Sequence, residues 1–344
     1  MKKIHQFLLV AGFVFLGCLI WKIGADRIWN KLAVLGWGGL GLFVTFEFLA
    51  EGIHTVGWSY CLSAPYRRLP WLLRFRIRMA GNAVNYLTPT GGLGGEVTKA
   101  AMLSSSHQGP EAISGVIVGR VCSGMAHLIL VAAGSMIVVC RANLPPAAWA
   151  AMFVSGGVVA AGIVAFLLIQ RHGQLGALIR WLASLKFAGA ALQNFARQLT
   201  NVDEALKIFY RDRPRDLFRA VLWQMLGHSI GLLQIACFFY LLHHPVTVEA
   251  IATVWILGLW FDLLTFAVPL NMGTLEGGRM VAFQAVGLGA PTGLTFGIAL
   301  RLAQLSCACF GLVNYATFPA VWRSPGQRHH SLDDAARHTL KVGP

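Results

Sequence analysis

Charged side chains are scarce in this sequence: Asp, Glu, Lys and Arg together account for 12% of its 344 residues. A water-soluble domain of this length needs a far more polar surface, so the scarcity argues against a soluble enzyme or binding domain. Hydrophobic residues make up 56% of the chain, and the mean hydropathy is +0.62. Several segments of roughly 20 residues carry few charges, which is the length that crosses a bilayer core of about 30 Å. The composition therefore predicts an all-α, polytopic membrane protein.

Acidic residues are the scarcer of the two charge types, with 14 Asp and Glu against 28 Lys and Arg and a net charge of +14. The basic residues cluster in the gaps between apolar runs. Membrane proteins carry such residues in cytoplasmic loops, where anionic lipid headgroups can contact them. We therefore attribute the excess to topology and headgroup contact, and we expect no nucleic acid partner.

Motifs of cofactor and metal chemistry are also missing. The sequence contains no C-x-x-C pair, no Walker motif and no H-E-x-x-H pair. We therefore expect no cofactor and no metal site, and nothing indicates that this chain alone drives transport with ATP. The cysteines lie mostly in apolar runs, where free thiols pack as small hydrophobic groups.

Apolar runs of membrane-spanning length recur along the chain. Together with two broken or re-entrant segments they predict about seven to eight transmembrane helices. The candidate spans lie at residues 6–24, 33–62, 112–140, 147–169, 216–242, 247–268 and 291–320. The tract at 66–87 carries five arginines and no acidic residue. This pattern predicts an interfacial helix whose arginines face lipid headgroups.

Polar stretches divide the chain into two membrane halves. We predict a first membrane half at 1–170 with a broken segment at 81–100, a cytoplasmic amphipathic linker at 171–215, a second membrane half at 216–322 with a broken segment at 265–290, and a polar tail at 323–344. The positive-inside rule puts the N-terminus and the linker in the cytoplasm. The side of the polar tail stays open, because one extra crossing at the second broken segment would reverse it.

The two broken segments resemble each other. The sequence reads "NYLTPTGGLGGEV" at 85–97 and "TFAVPLNMGTLEGGR" at 265–279, and each has a proline, a glycine-rich turn and a glutamate, followed by an arginine in the next apolar run. The ordered landmarks are Pro89, Gly92, Glu96 and Arg120 in the first copy, and Pro269, Gly273, Glu276 and Arg301 in the second. Each landmark is offset by about 180 residues from its counterpart, which indicates an internal repeat.

Irregular backbone at membrane depth survives only where protein buries it or where it lines a wet cavity. A half-helix that begins after the glycines directs its free N–H groups at the break, which favours a phosphate or carboxylate ligand. We therefore predict a substrate site made of Asn82, Asn85, Pro89, Gly92, Gly94, Gly95, Glu96, Lys99, Arg120, Pro269, Gly273, Glu276, Arg279 and Arg301. The alternative is that the glycines only allow close helix packing. In that case Glu96 pairs with Arg120 or Lys99, and Glu276 pairs with Arg279 or Arg301.

Further polar residues interrupt the apolar runs. Glu47, Glu51 and His54 fall on one helix face, and Asp262 lies shortly before the second break. Glu51 and His54 have the spacing of half a di-iron site, but the required second copy is absent from the sequence. We therefore predict that these four residues line a polar cavity or the interior of the bundle.

The two broken segments carry a family resemblance. "GNAVNYLTPTGGLGGEVTKAAML" at 81–103 resembles the first signature of the lysylphosphatidylglycerol synthase transmembrane-region family, whose members are also called flippase-like membrane proteins. "VPLNMGTLEGG" at 268–278 and "GLTFGIALRLAQL" at 293–305 resemble its second signature. A subgroup associated with hopanoid biosynthesis has a similar length and pattern. The family often has Asp-Arg where this chain has Gly119-Arg120.

The resemblance implies the lipid-moving part of such synthases, since no soluble aminoacyltransferase domain is recognisable after the last apolar run. We expect a lipid translocase of the bacterial inner membrane, acting on a phospholipid or a hopanoid-like lipid. The basic residues of the predicted site would hold the headgroup, and Glu96 and Glu276 would balance their charge or exchange protons. Two alternatives remain open: a non-catalytic accessory subunit of a lipid-synthesis complex, with lipid-synthesis enzymes as partners, and an integral-membrane enzyme that uses Glu96, Glu51 and His54 as acid–base groups.

Overall fold

The computed structural model describes residues 25–87, 93–106, 111–141, 211–245, 247–264 and 273–317, with single residues at 21, 157 and 209. Within these ranges the chain is helical and contains no strand. The helices are α1 (Ala25–Cys61), α2 (Ala64–Arg67), α3 (Trp71–Leu87), α4 (Leu93–Ser106), α5 (Glu111–Arg141), α6 (Pro214–Leu241), α7 (Val248–Leu264), α8 (Thr274–Ala285) and α9 (Ala290–Thr317). The prediction of an all-α membrane protein is therefore confirmed.

Four of the predicted spans appear as helices long and apolar enough to cross a membrane. They are Leu35–Cys61, Glu111–Ser135, Pro214–Leu241 and Ala290–Thr317. The span predicted at 247–268 corresponds to α7, which has 17 described residues. The spans predicted at 6–24 and 147–169, most of the linker and the polar tail lie outside the described residues. The total of seven to eight helices therefore stays a prediction.

The first long helix is interrupted near its start. Gly36 in α1 has φ 61° and ψ 178°, which is not helical. A residue with a side chain rarely adopts this positive φ, whereas glycine does so at little cost. The apolar part of α1 that follows this interruption agrees with the span predicted from residue 33.

The helices pack so that the N-terminal and C-terminal parts of the chain interleave. α1 packs along α6 and α9, and α9 packs against both α3 and α8. A cluster of phenylalanines fills the space between α1, α6, α8 and α9, with ring centroids 5.1 to 6.1 Å apart. Its members are Phe43, Phe238, Phe239, Phe283 and Phe296. This apolar cluster closes one side of the polar region described below.

The arginine-rich tract at 66–87 lies against the bundle, which differs from the interfacial helix that its charge predicts. Ile77 is fully buried and Met79 is 1% exposed. Three of the arginines contact protein groups: Arg67 pairs with Asp216 at 2.9 Å, Arg78 with Glu51 at 2.8 Å, and Arg76 donates to Asn314 at 2.6 Å. The partners belong to α6, α1 and α9. Because they are far away in the sequence, charge counting could not find them.

The two repeat copies have the same order of elements. In the first copy α3 is followed by the undescribed residues 88–92, the short helix α4 and the long helix α5. In the second copy α7 is followed by the undescribed residues 265–272, the short helix α8 and the long helix α9. This order is what the repeat predicts, and Pro89, Gly92 and Pro269 lie outside the described residues.

Candidate functional site

In the first repeat copy, Glu96 is held by α3 and by its own helix. Asn85 Nδ2 donates to Glu96 Oε1 at 3.2 Å, and Lys99 Nζ lies 3.1 Å from the same oxygen. Asn85 also accepts a hydrogen bond from the backbone N–H of Gly95 at 2.6 Å. The Lys99 and Glu96 side chains are 6% and 13% exposed. The charge of the carboxylate is therefore balanced locally, and a side chain of α3 already binds one free amide at the start of α4.

The close approach of α3 and α4 explains why residue 95 is a glycine. A Cβ atom on Gly95 would collide with the carbonyl oxygen of Gly81 and with the Asn85 side chain. Only a glycine lets the two backbones approach this far, so Gly95 serves the packing that the sequence left as an alternative. The preceding Gly94 is partly buried, and its carbonyl accepts a hydrogen bond from Thr98 Oγ1 at 2.9 Å.

In the second repeat copy, Glu276 and Arg301 form a buried bidentate ion pair between α8 and α9. Arg301 Nε lies 2.7 Å from Glu276 Oε1, and Nη2 lies 3.0 Å from Oε2. Glu276 is fully buried and Arg301 is 7% exposed. Two parallel hydrogen bonds to one carboxylate fix both distance and orientation. Of the two partners that the sequence allows for Glu276, the structure has Arg301.

The same pair links the two halves of the molecule. Arg301 Nη1 donates to the hydroxyl of Tyr86 at 2.9 Å, and Tyr86 lies on α3 directly before the first break. Glu276 Oε2 accepts a hydrogen bond from the backbone N–H of Gly273 at 3.0 Å, at the start of α8. Gly273 has φ 76°, which favours glycine. The carboxylate therefore occupies the helix terminus at which an external anion was expected.

Arg279 pairs with a different acid. Arg279 Nη2 donates to Asp262 Oδ2 at 2.8 Å, which joins α8 to α7. The guanidinium lies against Gly258 of α7, where an added Cβ would be 2.5 Å from Nη1. Arg279 is 8% exposed. Within the part of the chain that the structure describes, the buried Nη1 of Arg279 and Oδ1 of Asp262 have no hydrogen-bond partner.

Asn82 belongs to a separate cluster around Glu51. Arg78 Nε and Asn82 Nδ2 both donate to Glu51 Oε2 at 2.8 Å.

Arg120 lies on an exposed face of α5, and no described acidic residue is within ion-pair distance of it. The landmarks Glu96–Arg120 and Glu276–Arg301 are therefore equivalent in sequence, but their described contacts differ.

A cavity of about 150 Å³ lies between α1, α6, α7, α8 and α9. Glu47, His54, Asp262 and Arg279 line it together with Gln234 and His228. Gln234 Nε2 donates to Glu47 Oε1 at 3.1 Å. The cavity thus brings together three of the four residues predicted to line a polar cavity, and adds Arg279 from the predicted substrate site. Of the two short helices that follow the breaks, α8 lines it and α4 does not.

Three histidine rings meet edge to face beside this cavity. The ring of His228 lies 4.7 Å from that of His54 and 5.2 Å from that of His127, measured between centroids. His54 Nδ1 and Gln224 Oε1 are 2.5 Å apart, and His127 Nε2 lies 3.0 Å from the carbonyl oxygen of Leu259. Among the described residues, the buried Nε2 of His228 has no hydrogen-bond partner. Three residues that line the cavity therefore each have one unsatisfied polar atom.

Sequence reasoning missed two contributors to this arrangement. Tyr86 stands inside the first broken segment, so its place beside the break was the available signal. Gln234 lies in an apolar helix, where a buried amide usually has a polar partner on another helix. The segment "GHSIG" at 227–231 also has the G-x-S-x-G pattern of a nucleophile elbow. It lies inside α6, and Ser229 Oγ donates to the Met225 carbonyl at 2.9 Å, so it does not form the strand–turn–helix of that motif.

The apolar helices, the ion pairs buried between them and the polar cavity define a polytopic helical membrane protein. Residues 4–311 match the lysylphosphatidylglycerol synthase TM region family. This match covers most of the chain, so the protein belongs to that family, which is associated with a membrane lipid-related function. No curated protein and no solved structure matched the chain.

Proposed function

We propose that the protein is a lipid translocase of the bacterial inner membrane, with its N-terminus in the cytoplasm, and that the lipid headgroup enters the cavity beside Arg279. The observation that carries this proposal is the unsatisfied Nη1 of Arg279, a buried donor on a charged group that lines the cavity. Family membership supports a lipid as the ligand.

An unsatisfied buried donor costs roughly 1–3 kcal/mol, and more when the group is charged. Asp262 Oδ1 and His228 Nε2 face the same penalty at the same cavity. A phosphate oxygen would accept from Arg279 Nη1, and a headgroup hydroxyl or amine would donate to Asp262. The volume of about 150 Å³ is some ten times the roughly 15 Å³ that one water needs. There is therefore room for a headgroup fragment as well as for water.

Two of the other predicted headgroup ligands, Lys99 and Arg301, have internal partners, whereas Arg120 lies on an exposed face of α5 and does not line the cavity. Lys99 is paired with Glu96, and Arg301 is paired with Glu276 and Tyr86. We assign these pairs the role of holding the two short helices in place, because breaking either would leave a charge buried. Arg279 differs from them, because it lines the cavity and its Nη1 has no hydrogen-bond partner among the described residues.

The lipid is proposed by its headgroup chemistry: a phosphate or hydroxyl group that Arg279 and Asp262 can bind, on a phospholipid or a hopanoid-like lipid. The acyl or polycyclic part would stay in the bilayer while the headgroup crosses through the cavity. This mode of passage needs no soluble domain in the chain.

The test is translocation of labelled lipid in proteoliposomes. Labelled phosphatidylglycerol, phosphatidylethanolamine and a hopanoid would be compared as substrates of the wild type, the variant Arg279→Gln and the control Arg211→Gln. Arg211 is exposed and pairs only with the neighbouring Asp212 among the described ion pairs. We expect Arg279→Gln to lose at least tenfold in rate, because a charged donor to the headgroup is worth about 1.5–3 kcal/mol. The control should retain the wild-type rate.

Arg279→Gln leaves Asp262 without its ion-pair partner, so a loss of rate could reflect misfolding. The double variant Arg279→Gln/Asp262→Asn removes both charges and separates these causes. We expect it to be as abundant as the wild type and still defective in translocation. If the well-folded double variant moved any of these lipids at the wild-type rate, that result would contradict the role given to Arg279. Absence of translocation in the wild type for all three lipids would contradict the proposed function.

A further inference from the structure

Glu47 differs from the other acidic residues inside the helical bundle. Each of the others has a basic partner within ion-pair distance: Glu51 has Arg78, Glu96 has Lys99, Asp262 has Arg279 and Glu276 has Arg301. Among the described residues Glu47 has no such partner, and its hydrogen bond comes from the neutral amide of Gln234 at 3.1 Å. Glu47 also lies in the membrane-spanning part of α1 and lines the cavity.

A carboxylate without a counter-charge is costly at membrane depth. The cost is lowered in two ways: cavity water can solvate the charged form, or a proton can neutralise it. Neutral Gln234 can donate to the charged carboxylate, and its amide can also stay hydrogen-bonded to the neutral acid. The side chain of Glu47 is therefore placed where either form can exist, and the contents of the cavity decide between them.

We propose that Glu47 is a proton-binding site, which takes up a proton when an anionic headgroup enters the cavity and releases it when the headgroup leaves. The link to the headgroup rests on the proposed function, whereas the proton site itself does not. In the uptake step, a hydronium ion in the cavity water transfers its proton to one carboxylate oxygen of Glu47, so that one O–H bond of hydronium breaks as the O–H bond of the acid forms and a water molecule is left. On release that bond breaks, the electron pair stays on the oxygen, and the proton returns to water.

The charges around Glu47 explain the coupling. The titratable or charged groups around it come from the five helices that line the cavity and from α3 and α5, which pack against those helices: Glu51 and His54 on α1, Arg78 and Tyr86 on α3, His127 on α5, His228 on α6, Asp262 on α7, Glu276 and Arg279 on α8, and Arg301 and Cys307 on α9. The charged members of this set form ion pairs and cancel in pairs. Within this set, the charge of Glu47 is therefore the one that no opposite charge balances. A phosphate that enters beside Arg279 adds a second negative charge. A proton on Glu47 then restores the balance and also compensates for the water that the headgroup displaces.

The first test needs no lipid. Infrared spectra of the purified protein would be recorded as the pH is changed, for the wild type, Glu47→Gln and the control Glu249→Gln. Glu249 is exposed at the start of α7 and does not line the cavity, so its replacement leaves the surroundings of Glu47 unchanged. We expect a pH-dependent component of the carboxylic-acid band that the wild type and the control share and that is missing from Glu47→Gln. Equal pH-dependent bands in the wild type and Glu47→Gln would overturn the proton site.

The second test measures the coupling. Short-chain phosphatidylglycerol would be added to the protein in weakly buffered detergent solution, and proton uptake would be followed with a pH indicator. We expect uptake by the wild type and by Glu249→Gln, and none by Glu47→Gln. Glu47→Asp serves if Glu47→Gln is poorly folded, because it keeps the carboxyl group but moves it away from Gln234; we expect it to take up a proton at a shifted pH.

The outcomes separate this inference from the proposed function. If the wild type moves lipid in proteoliposomes but takes up no proton on lipid addition, the Glu47 inference fails and the translocase proposal stands. If the Glu47 band titrates but no lipid moves, the translocase proposal fails and the proton site stands. If both hold, lipid movement by Glu47→Gln should lose the pH dependence that the wild type shows.

Discussion

Replacing Arg301 with methionine is the sharpest test of the buried network between α8 and α9. The substitution keeps an unbranched apolar stem but removes the guanidinium, and Glu276 then loses both of its hydrogen bonds to α9, at 2.7 and 3.0 Å. Glu276 is fully buried, so water cannot replace them. Removing one partner of a buried ion pair costs about 3–5 kcal/mol, because the other charge stays buried and unpaired. We therefore expect a loss of this size in the free energy of unfolding.

Chemical unfolding in mixed detergent micelles, at a fixed protein concentration, would measure this loss. The double variant Arg301→Met/Glu276→Met removes both charges and keeps the site filled with apolar atoms. Replacing both members of a buried ion pair with apolar residues of similar size often leaves the stability unchanged. The double variant should therefore be markedly more stable than Arg301→Met. Arg211→Met is the matched control, because the Arg211–Asp212 pair is exposed and should contribute at most about 1 kcal/mol.

Two outcomes would refute this reasoning. One is that Arg301→Met unfolds within about 1 kcal/mol of the wild type, which is the range expected for a surface pair. The other is that the double variant is no more stable than Arg301→Met. The first outcome would mean that Glu276 gains another partner or a proton at little cost. The second would mean that the loss comes from packing rather than from the unpaired carboxylate.

Two further substitutions test the contacts between the repeat copies and within the first one. Tyr86→Phe removes the hydroxyl that accepts a hydrogen bond from the buried guanidinium, so the free energy of unfolding should fall by about 1.5–3 kcal/mol, whereas Tyr240→Phe on an exposed face should change little. Gly95→Ala would force a methyl group against the carbonyl of Gly81, and we expect it to cost about 1–3 kcal/mol in the same unfolding assay. Gly124→Ala is its control, because an added Cβ there meets no neighbouring atom; equal effects of the two alanine substitutions would contradict the close approach of α3 and α4.

The long spans could be predicted from the sequence because the bilayer imposes a simple rule. A segment that crosses it must satisfy its own backbone hydrogen bonds and present apolar side chains over about 20 residues. Leu35–Cys61, Glu111–Ser135, Pro214–Leu241 and Ala290–Thr317 obey this rule, and their bounds agree with the prediction within three residues, except the C-terminal end of the second. The polar residues near the two breaks could also be recognised, because charge is rare in such segments and therefore conspicuous.

Which of these charges meet could not be read from the sequence. Arg279 follows Glu276 by three positions in the sequence and Arg301 follows it by 25, and either could be its partner. Helical periodicity says which side chains share a face, but it does not say which helix lies opposite that face. Packing of α9 against α8 brings Arg301 to Glu276, and packing of α7 against α8 directs Arg279 to Asp262.

The cavity is the part that only the tertiary structure decided. Its walls come from five helices spread between Glu47 and Gln304 in the sequence, and its unsatisfied atoms belong to three different helices. Sequence alone identified Glu47, Asp262 and Arg279 as costly polar residues in an apolar chain. Whether each is neutralised depends on the distance to a charge elsewhere in the fold. Within the described helices, that distance leaves Glu47 without a basic partner and Nη1 of Arg279 without an acceptor, and both properties follow from how these helices pack.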